Sequence, residues 1–493
     1  MTRHTKIVAT LGPASNTPQS LEMLLRAGVD VVRLNFSHGK AEDHIALANT
    51  VRQVASKLGR PVGILADLQG PKIRIGKFEE GKIVLEPGDR FILDARCELG
   101  NRERVGLDYK DLPHDVSAGN TLLLDDGRIV LEVERVIGHE IFTIVHHGGE
   151  LSNNKGINRQ GGGLSAPALT AKDMDDIKTA AQIGVDFVAV SFPKSASDMY
   201  MARQLMRAAG GHALTIAKIE RVEAGAALEE IHDSSDGLRV ARGDLAVEVG
   251  DAAVPALQKR MIRMAREKNK LAITATQMME SMIHAPTPTR AEVSDVANAV
   301  LDGTDAVMLS AETAVGSYPV QTVESMARIC QAAENSMQIT LDREFLDRIF
   351  TRIDQSIAMS SLFAAYHLNA KAVVALTSTG STALWMSRLN CGIPIFALTQ
   401  ETASLSKMSL FRQVSPLLID DVPDEREGMR RDVEKRLIDA GVVSKGDLIV
   451  LTYGDHHGTS GGTTTMTIVP AADRAYTADR RTCSRSEPHL TPG

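Results

Sequence analysis

Charged side chains stand at the ends of two neighbouring apolar segments of the chain. LTIAKIE carries Lys218 and Glu220 near its end, and GLRVAR is followed directly by Gly243 and Asp244. Carboxylates are the hard oxygen ligands that Mg²⁺ or Mn²⁺ prefers, and a compact ammonium suits the oxygens of a phosphoryl group in transfer. A glycine lets backbone N–H groups approach an anion. These residue types indicate metal-assisted phosphoryl chemistry, provided that the two segment ends lie side by side.

Eight apolar segments predict the scaffold that would bring these ends together. They are rich in Val, Ile and Leu on both faces, as parallel strands buried on both sides are, and stretches with helical spacing separate them. Their sequences are KIVATLG, VVRLNF, VGILADL, FVAVSF, LTIAKIE, GLRVAR, LAITAT and AVMLSAE. Eight strand–helix units predict an α/β fold of the (β/α)8 TIM barrel type, in which all strand ends share one face. A doubly wound open sheet is the structural alternative.

Further polar side chains occur at the predicted strand ends. They are Arg33, Asn35, Ser37, His38, Asp67, Ser191, Arg242, Thr276, Ser310 and Glu312. Any one of them could be an ordinary satisfied polar group, but buried charge is costly unless it is paired or bound to metal. The set as a whole therefore favours a site. Arg33, together with Arg74 just after the third strand, could clamp phosphate oxygens.

Length and composition restrict the classes of protein that fit. A chain of 493 residues with 43% hydrophobic residues is consistent with two to four globular domains. The net charge is −7 without runs of like charge, so nothing favours a nucleic acid or a membrane surface as partner. The N-terminus lacks the apolar stretch of a signal peptide, and the four cysteines lack metal-binding spacing. These features predict a cytoplasmic protein with reduced thiols.

The alternation of strands and helices is interrupted once and ends before the C-terminus. Residues 70–168 alternate apolar and polar positions with turn signals between them, which predicts an inserted, β-barrel-like domain. Because loops after barrel strands open at the catalytic face, this insert is placed to act as a lid. Residues 1–69 and 169–344 would form the barrel, and residues 345–470 a separate α/β domain. The polar residues 471–493 are expected to form a disordered tail.

Several segments resemble motifs of the pyruvate kinase family, in the family's order. They are RLNFSHG, GPKIR, AKIER, ARGDL, ATQMMESM and LSAETAVGSYP. The resemblance covers about residues 4–470 and is greatest to the bacterial type II form with DLQGPKIR. It implies transfer of the phosphoryl group of phosphoenolpyruvate to ADP in the last step of glycolysis, followed by protonation of the enolate to pyruvate. It also implies a lid, a C-terminal regulatory domain and a homotetramer.

The resemblance also implies roles for individual residues. Lys218 would stabilise the transferring phosphoryl group and the enolate oxygen, and Glu220 and Asp244 would bind Mg²⁺ or Mn²⁺. Backbone N–H groups near Gly243 and Asp244, with Thr276, would receive the substrate carboxylate, and Thr276 would lie on the proton path to the enolate. Arg33 and Arg74 would contact the phosphoryl group. The residues that match nucleotide contacts are Pro13, Arg33, Asn35, His38, Arg74 and Lys155.

The resemblance also includes a site for a monovalent cation. The side chains of Asn35, Ser37 and Asp67 and the carbonyl of Leu68 match the family's K⁺ ligands. However, GPKIR places Lys72 where K⁺-dependent members have Glu, and an ammonium there can supply the missing positive charge. We therefore expect K⁺ not to be required, although the other ligands are retained.

A second phosphate-binding segment is expected in the C-terminal domain. TSTGSTALWMSRL resembles the family's effector loop, because a Thr-, Ser- and Gly-rich turn before a helix can cradle a phosphate. Its candidate residues are Thr377, Ser378, Thr379, Gly380, Ser381 and Thr382. The alternative is an ordinary helix cap. A sugar phosphate and AMP are equally good candidates for the effector.

Two other functions remain open at this point. The same barrel could serve a lyase or aldolase that acts on pyruvate or phosphoenolpyruvate with Mg²⁺. It could also serve a catalytically silent metabolite sensor. The lid with Lys155 and the effector-like segment argue against the lyase, and the complete set of charged residues, including Lys218 and Asp244, argues against the sensor.

Overall fold

A computed structural model describes residues 3–221, 227–337, 349–419, 426–454 and 461–471. The chain divides into two compact units, Met1–Met337 with Ser409–Arg412, and Gln338–Met408 with Gln413–Gly493. Apart from Ala471, the predicted disordered tail lies outside the described residues.

The first unit contains a closed barrel of eight parallel strands, so the predicted TIM barrel is confirmed and the open sheet is excluded. The strands follow one another around the barrel in chain order and are almost completely buried, which explains their apolar sequences. They are Lys6–Thr10, Val31–Asn35, Gly63–Asp67, Phe187–Val190, Leu214–Ile219, Gly237–Ala241, Leu271–Ala275 and Ala306–Leu309.

Helices cover the outside of the barrel and pack their apolar faces on the strands. The α-helices are Pro18–Ala27, Ala41–Leu58, Ala171–Ile183, Ala196–Ala208, Leu228–Ser234, Arg242–Val249, Val254–Glu267, Arg290–Leu301, Ala311–Ala314 and Pro319–Ser336. Short 3₁₀ helices span Asp251–Ala253 and Glu280–Ile283. Helix Arg290–Leu301 begins at Thr289, whose hydroxyl accepts a hydrogen bond from the backbone N–H of Glu292.

The register of the barrel strands places charged residues side by side inside it. Lys218 pairs with Arg239 on the next strand, and Asn35 pairs with Asp67. Paired residues of neighbouring strands direct their side chains to the same side of the sheet. Lys218, Arg239 and Asp67 are all buried, so the barrel interior holds charge as well as aliphatic packing.

A β domain is inserted between the third and fourth barrel strands. Its largest sheet has six strands, mostly antiparallel, and encloses its own apolar core around Phe91, Leu93 and Leu131. The strands of the insert are Lys77–Phe78, Lys82–Leu85, Arg90–Asp94, Leu99–Gly100, Arg104–Gly106, Thr121–Leu124, Ile129–Ile137, Glu140–His147, Gly149–Ser152 and Ile157–Arg159. A short helix spans Leu112–Asp115. We call this insert the lid.

The second unit is an α/β domain around a five-stranded sheet. Four of its strands are parallel, and the last is antiparallel to its neighbour. The strands are Ala372–Leu376, Ile395–Thr399, Val414–Leu418, Leu448–Gly454 and Thr463–Pro470. Its described helices are Ile353–His367, Ser381–Ser387, Thr402–Met408 and Arg426–Asp439.

Two sequence-based expectations concern the whole chain. Among the residues that the structure covers, no helix has the length and apolarity needed to cross a membrane. Cys97, Cys330 and Cys391 are free thiols, and Cys483 lies outside the described residues.

Candidate active site

A cavity of about 220 Å³ opens at the carboxyl ends of the barrel strands. Residues from seven of the eight barrel strands, or from the loops that follow them, border it, together with residues from the start of the lid segment. The lining residues are Arg33, Asn35, Ser37, His38, Gln69, Lys72, Arg74, Phe192, Lys218, Glu220, Arg239, Ala241, Asp244, Thr276, Met308 and Ser310. Residues distant in sequence thus surround one strongly charged pocket.

Asp67 is the centre of a buried ionic cluster beside this cavity. Its Oδ2 lies 2.5 Å from Nε of Arg33 and 2.6 Å from a terminal nitrogen of Arg239, and its Oδ1 lies 3.3 Å from Nζ of Lys218. Burial alone would raise the pKa of the Asp67 carboxyl, but the three cations outweigh it and hold that pKa well below its usual range. The carboxylate therefore stays ionised, and it positions three cationic side chains.

Lys218 and Glu220 form a second buried pair. Nζ of Lys218 lies 3.0 Å from Oε1 of Glu220 and also hydrogen-bonds the Ser191 hydroxyl. Oε2 of Glu220 accepts a hydrogen bond of 3.0 Å from the backbone N–H of Phe192. Burial, with the negative charge of Asp244, raises the pKa of Glu220 despite Lys218. An additional cation near Glu220 and Asp244 would therefore stabilise the ionised form of Glu220.

Asp244 lies in the first turn of helix Arg242–Val249 and pairs with a lysine from the lid segment. Nζ of Lys72 is 3.2 Å from its Oδ1. Burial disfavours the Lys72 ammonium, but the attraction of Asp244 and Asp126 outweighs burial and raises its pKa. Lys72 thus remains charged at the mouth of the cavity, next to a predicted metal ligand.

The backbone at the end of the seventh strand is held in an unusual conformation. Thr276 has a φ of +75° and Gln277 a φ of +53°, in the left-handed region that β-branched residues avoid. Arg242 donates hydrogen bonds to the carbonyls of Thr276 at 2.7 Å and Ala275 at 3.1 Å. The Arg242 guanidinium is anchored in turn by two bonds, of 2.6 and 2.7 Å, to Asp295. Together these hydrogen bonds hold Thr276 and Gln277 in the strained conformation.

Gly243 and Glu312 support the same loop. A Cβ atom added to Gly243 would lie 2.9 Å from Cγ2 of Thr276, so only glycine allows this close approach without a shift. The carboxylate of Glu312 accepts hydrogen bonds from the backbone N–H groups of Met279 and Ser310. Both residues therefore help to fix the shape of the cavity, although neither is among the residues that border it.

The structure brings together most of the predicted site residues. Arg33, Asn35, Ser37, His38, Arg74, Lys218, Glu220, Asp244 and Thr276 border the cavity. Of the residues expected to bind substrate, nucleotide or cations at the barrel, five are not among those that border it, although all five are described: Pro13, Asp67, Leu68, Lys155 and Gly243. Among the other polar residues at the strand ends, Ser310 borders the cavity, whereas Ser191, Arg242 and Glu312 are not in its lining.

Two residues expected to serve the nucleotide make contacts within the lid. Nζ of Lys155 lies 2.7 Å from Oδ1 of Asp125, and Arg74 donates a hydrogen bond of 2.9 Å to the carbonyl of Asn154. Of the two, Arg74 also borders the cavity. Sequence reasoning missed Arg239, which borders the cavity from the middle of a strand and not from its end.

The predicted effector segment lies in the second unit. The backbone N–H of Gly380 donates to Oγ1 of Thr377 at 2.9 Å, and Gly380 has a φ of +85°. Thr382 is buried, and its hydroxyl is 2.7 Å from that of Thr463. Ser378 and Ser381 are partly exposed, and Thr379 is exposed. The turn is formed, and its effector role stays a prediction.

Comparisons with known proteins agree with this geometry. The pyruvate kinase barrel domain model matches residues 2–323, and the pyruvate kinase alpha/beta domain model matches residues 355–469. Pyruvate kinase II of Salmonella typhimurium is 52% identical over 473 residues, which cover 95% of this chain and 98% of that protein. A pyruvate kinase of Haemophilus influenzae is 52% identical over 458 residues, covering 92% and 96% of the two chains. The pyruvate kinase of Mycobacterium intracellulare is 43% identical over 464 residues, covering 94% and 97%. The chain therefore belongs to the pyruvate kinase family of phosphotransferases.

Proposed function

We propose that this enzyme transfers the phosphoryl group of phosphoenolpyruvate to ADP and then protonates the enolate to give pyruvate. The observation that carries the proposal is the cavity at the strand ends, where Lys218, Arg33 and Arg74 face the carboxylates of Glu220 and Asp244. Cations suit the phosphate and carboxylate groups of such a substrate, and the two acids suit a metal.

Glu220 and Asp244 are the residues that would hold Mg²⁺ or Mn²⁺. The fit rests on two carboxylates that border the same cavity, one of which has its pKa raised partly by the charge of the other. When bound, a divalent cation neutralises charge on the phosphoryl and substrate oxygens.

The remaining residues bind and orient the substrate. Lys218 would contact the transferring phosphoryl group and the enolate oxygen, and Arg33 and Arg74 would contact the phosphoryl oxygens. The N–H groups at Gly243 and Asp244 begin a helix and would receive the substrate carboxylate, with Thr276. The Thr276 hydroxyl would pass a proton to the enolate through water.

ADP would lie between the barrel and the lid. Pro13 and His38 would contact the adenosine, with Asn35 and the two arginines nearby. Lys155 would move from Asp125 to the nucleotide phosphates, since a phosphate oxygen offers this ammonium a second anionic partner. The lid would then exclude water from the reaction.

Regulation and assembly complete the proposal. A phosphorylated effector, a sugar phosphate or AMP, would bind at the turn of residues 377–382 in the second unit. The enzyme would work as a homotetramer in the cytoplasm, and it would not require added K⁺.

Pyruvate formation from phosphoenolpyruvate with Mg²⁺, in the presence and absence of ADP, tests the proposed reaction. We expect pyruvate and ATP to appear in equal amounts, and neither to appear without ADP. Pyruvate formed without ADP would instead favour a lyase or phosphatase, and no turnover with any candidate effector would favour a silent sensor.

A further inference from the structure

Arg239 is a buried cation in the interior of the barrel that has no role in the proposed reaction. It lies in the middle of strand Gly237–Ala241, pairs in register with Lys218, and is only 4% exposed. One terminal nitrogen donates to Oδ2 of Asp67 at 2.6 Å, while its Nε has no hydrogen-bond partner within the described ranges. A buried guanidinium is costly to desolvate, so its placement beside one carboxylate needs an explanation.

The carboxylate that Arg239 contacts is the one expected to bind a monovalent cation. Both oxygens of Asp67 already face cations, because Arg33 and Arg239 contact Oδ2 and Lys218 approaches Oδ1. A further positive ion at Asp67 would be repelled by all three groups at close range and in a poorly screened interior. The residues present therefore do not fit a monovalent cation at this position.

The other expected ligands are also engaged with the protein. Oδ1 of Asn35 accepts a hydrogen bond of 3.2 Å from the backbone N–H of Ser37. The carbonyl of Leu68 accepts a hydrogen bond of 2.6 Å from the hydroxyl of Ser191. Each of these oxygens has a second lone pair, so it could still contact a monovalent cation if the competing positive charge at Asp67 were removed.

Lys72 does not supply the charge at Asp67. Its ammonium lies 3.2 Å from Asp244, whereas the cations that pair with Asp67 are Arg33, Lys218 and Arg239. Two separate protein cations thus neutralise two separate acids, Lys72 at the mouth of the cavity and Arg239 inside the barrel.

We propose that the guanidinium of Arg239 is a built-in cation that takes the place of a monovalent metal ion at Asp67 and excludes such an ion. The expected effect of Arg239 on turnover rests on the proposed reaction, whereas its expected effect on cation binding does not. It assigns the proposed independence from K⁺ to Arg239 and not to Lys72.

The test uses Arg239→Met, with Lys72→Met as the competing variant and Arg203→Met as the control. Arg203 also pairs with an aspartate, Asp236 at 3.1 Å, but lies outside the cavity lining. Pyruvate formation and melting temperature are measured in tetramethylammonium, Na⁺ and K⁺ chlorides at equal ionic strength. If Arg239→Met does not fold, Arg239→Gln carries the same expectation.

Wild-type enzyme and Arg203→Met should turn over equally in the three salts. Arg239→Met should lose roughly 100-fold in activity without K⁺ and regain most of it with K⁺. Its melting temperature should rise selectively in K⁺, which shows binding without any need for turnover.

Three results would overturn the inference. These are activation of the wild type by K⁺, an Arg239→Met enzyme whose rate and melting temperature ignore K⁺, and a K⁺ response gained by Lys72→Met in place of Arg239→Met. Absence of pyruvate from the wild type in every salt would contradict the proposed reaction instead, and the melting experiment would still decide the role of Arg239.

Discussion

Replacing Asp295 with Asn should slow the enzyme although Asp295 is not among the residues that border the cavity. Asp295 anchors Arg242 through two short bonds, and Arg242 in turn holds the carbonyl of Thr276, whose left-handed backbone has a φ of +75°. A non-glycine residue in this conformation costs on the order of 1–3 kcal/mol, which the surrounding contacts must offset. The anchored guanidinium is one of those contacts.

The magnitude follows from what Asn removes. Asn keeps the size of Asp295 and one acceptor oxygen, but it loses the negative charge and the bidentate geometry. A hydrogen bond to a charged group contributes about 1.5–3 kcal/mol, so roughly 2 kcal/mol less would hold Arg242 in place. If this loss is expressed in the position of the Thr276 hydroxyl, kcat/KM should fall about 30-fold, at about 1.4 kcal/mol per factor of ten.

Steady-state kinetics with Asp236→Asn as control test this reasoning. Asp236 also pairs with an arginine, Arg203, and precedes the strand whose other end leads to Arg242. We expect Asp295→Asn to lower kcat/KM with a small change in melting temperature, and Asp236→Asn to leave kcat/KM unchanged. Unaltered kinetics for Asp295→Asn, or an equal loss in Asp236→Asn, would refute a positioning role for the Arg242–Asp295 pair.

Two other predictions concern packing and pH. Gly243→Ala should lower kcat at least tenfold, because the new Cβ would lie 2.9 Å from Cγ2 of Thr276; unchanged kcat would show that the loop yields freely. Burial, with the charge of Lys270, lowers the pKa of the fully buried His232 to about 4. The unfolded chain binds this proton near pH 6.5, so stability should fall as the pH drops below 6.5, by about 2 kcal/mol at pH 5. Urea unfolding of wild type and His232→Phe at pH 7 and 5 measures the difference, and equal losses in both would contradict it.

The scaffold could be predicted because its physics is local and repetitive. Each barrel strand is buried on both faces, so its sequence is a short apolar run. Segments with helical spacing lie between these runs, and this alternation is compatible with only a few α/β folds. The same logic placed Lys218, Glu220 and Asp244 on one cavity, because the ends of parallel strands share one face. Closure of the barrel then followed from the number of units.

Arg239 and Arg242 show where such reasoning fails. Arg239 lies in the middle of an apolar segment, and the rule that strand ends carry chemistry passed over it. The signal was present, since a lone arginine in a buried strand demands a partner. Arg242 does stand at a strand end, but its side chain turns to Asp295 and the loop carbonyls. That direction depends on backbone angles which a sequence pattern does not contain.

The most direct test of the account compares Lys218→Met with Lys178→Met. Lys218 is buried between Asp67 and Glu220, whereas Lys178 is an exposed lysine that pairs with Asp175. We predict that ADP-dependent pyruvate formation falls by roughly 1,000-fold or more in Lys218→Met, with a folded protein and unchanged turnover in Lys178→Met. A Lys218→Met enzyme that retains near-normal turnover would contradict the claim that this cavity stabilises the phosphoryl group in transfer.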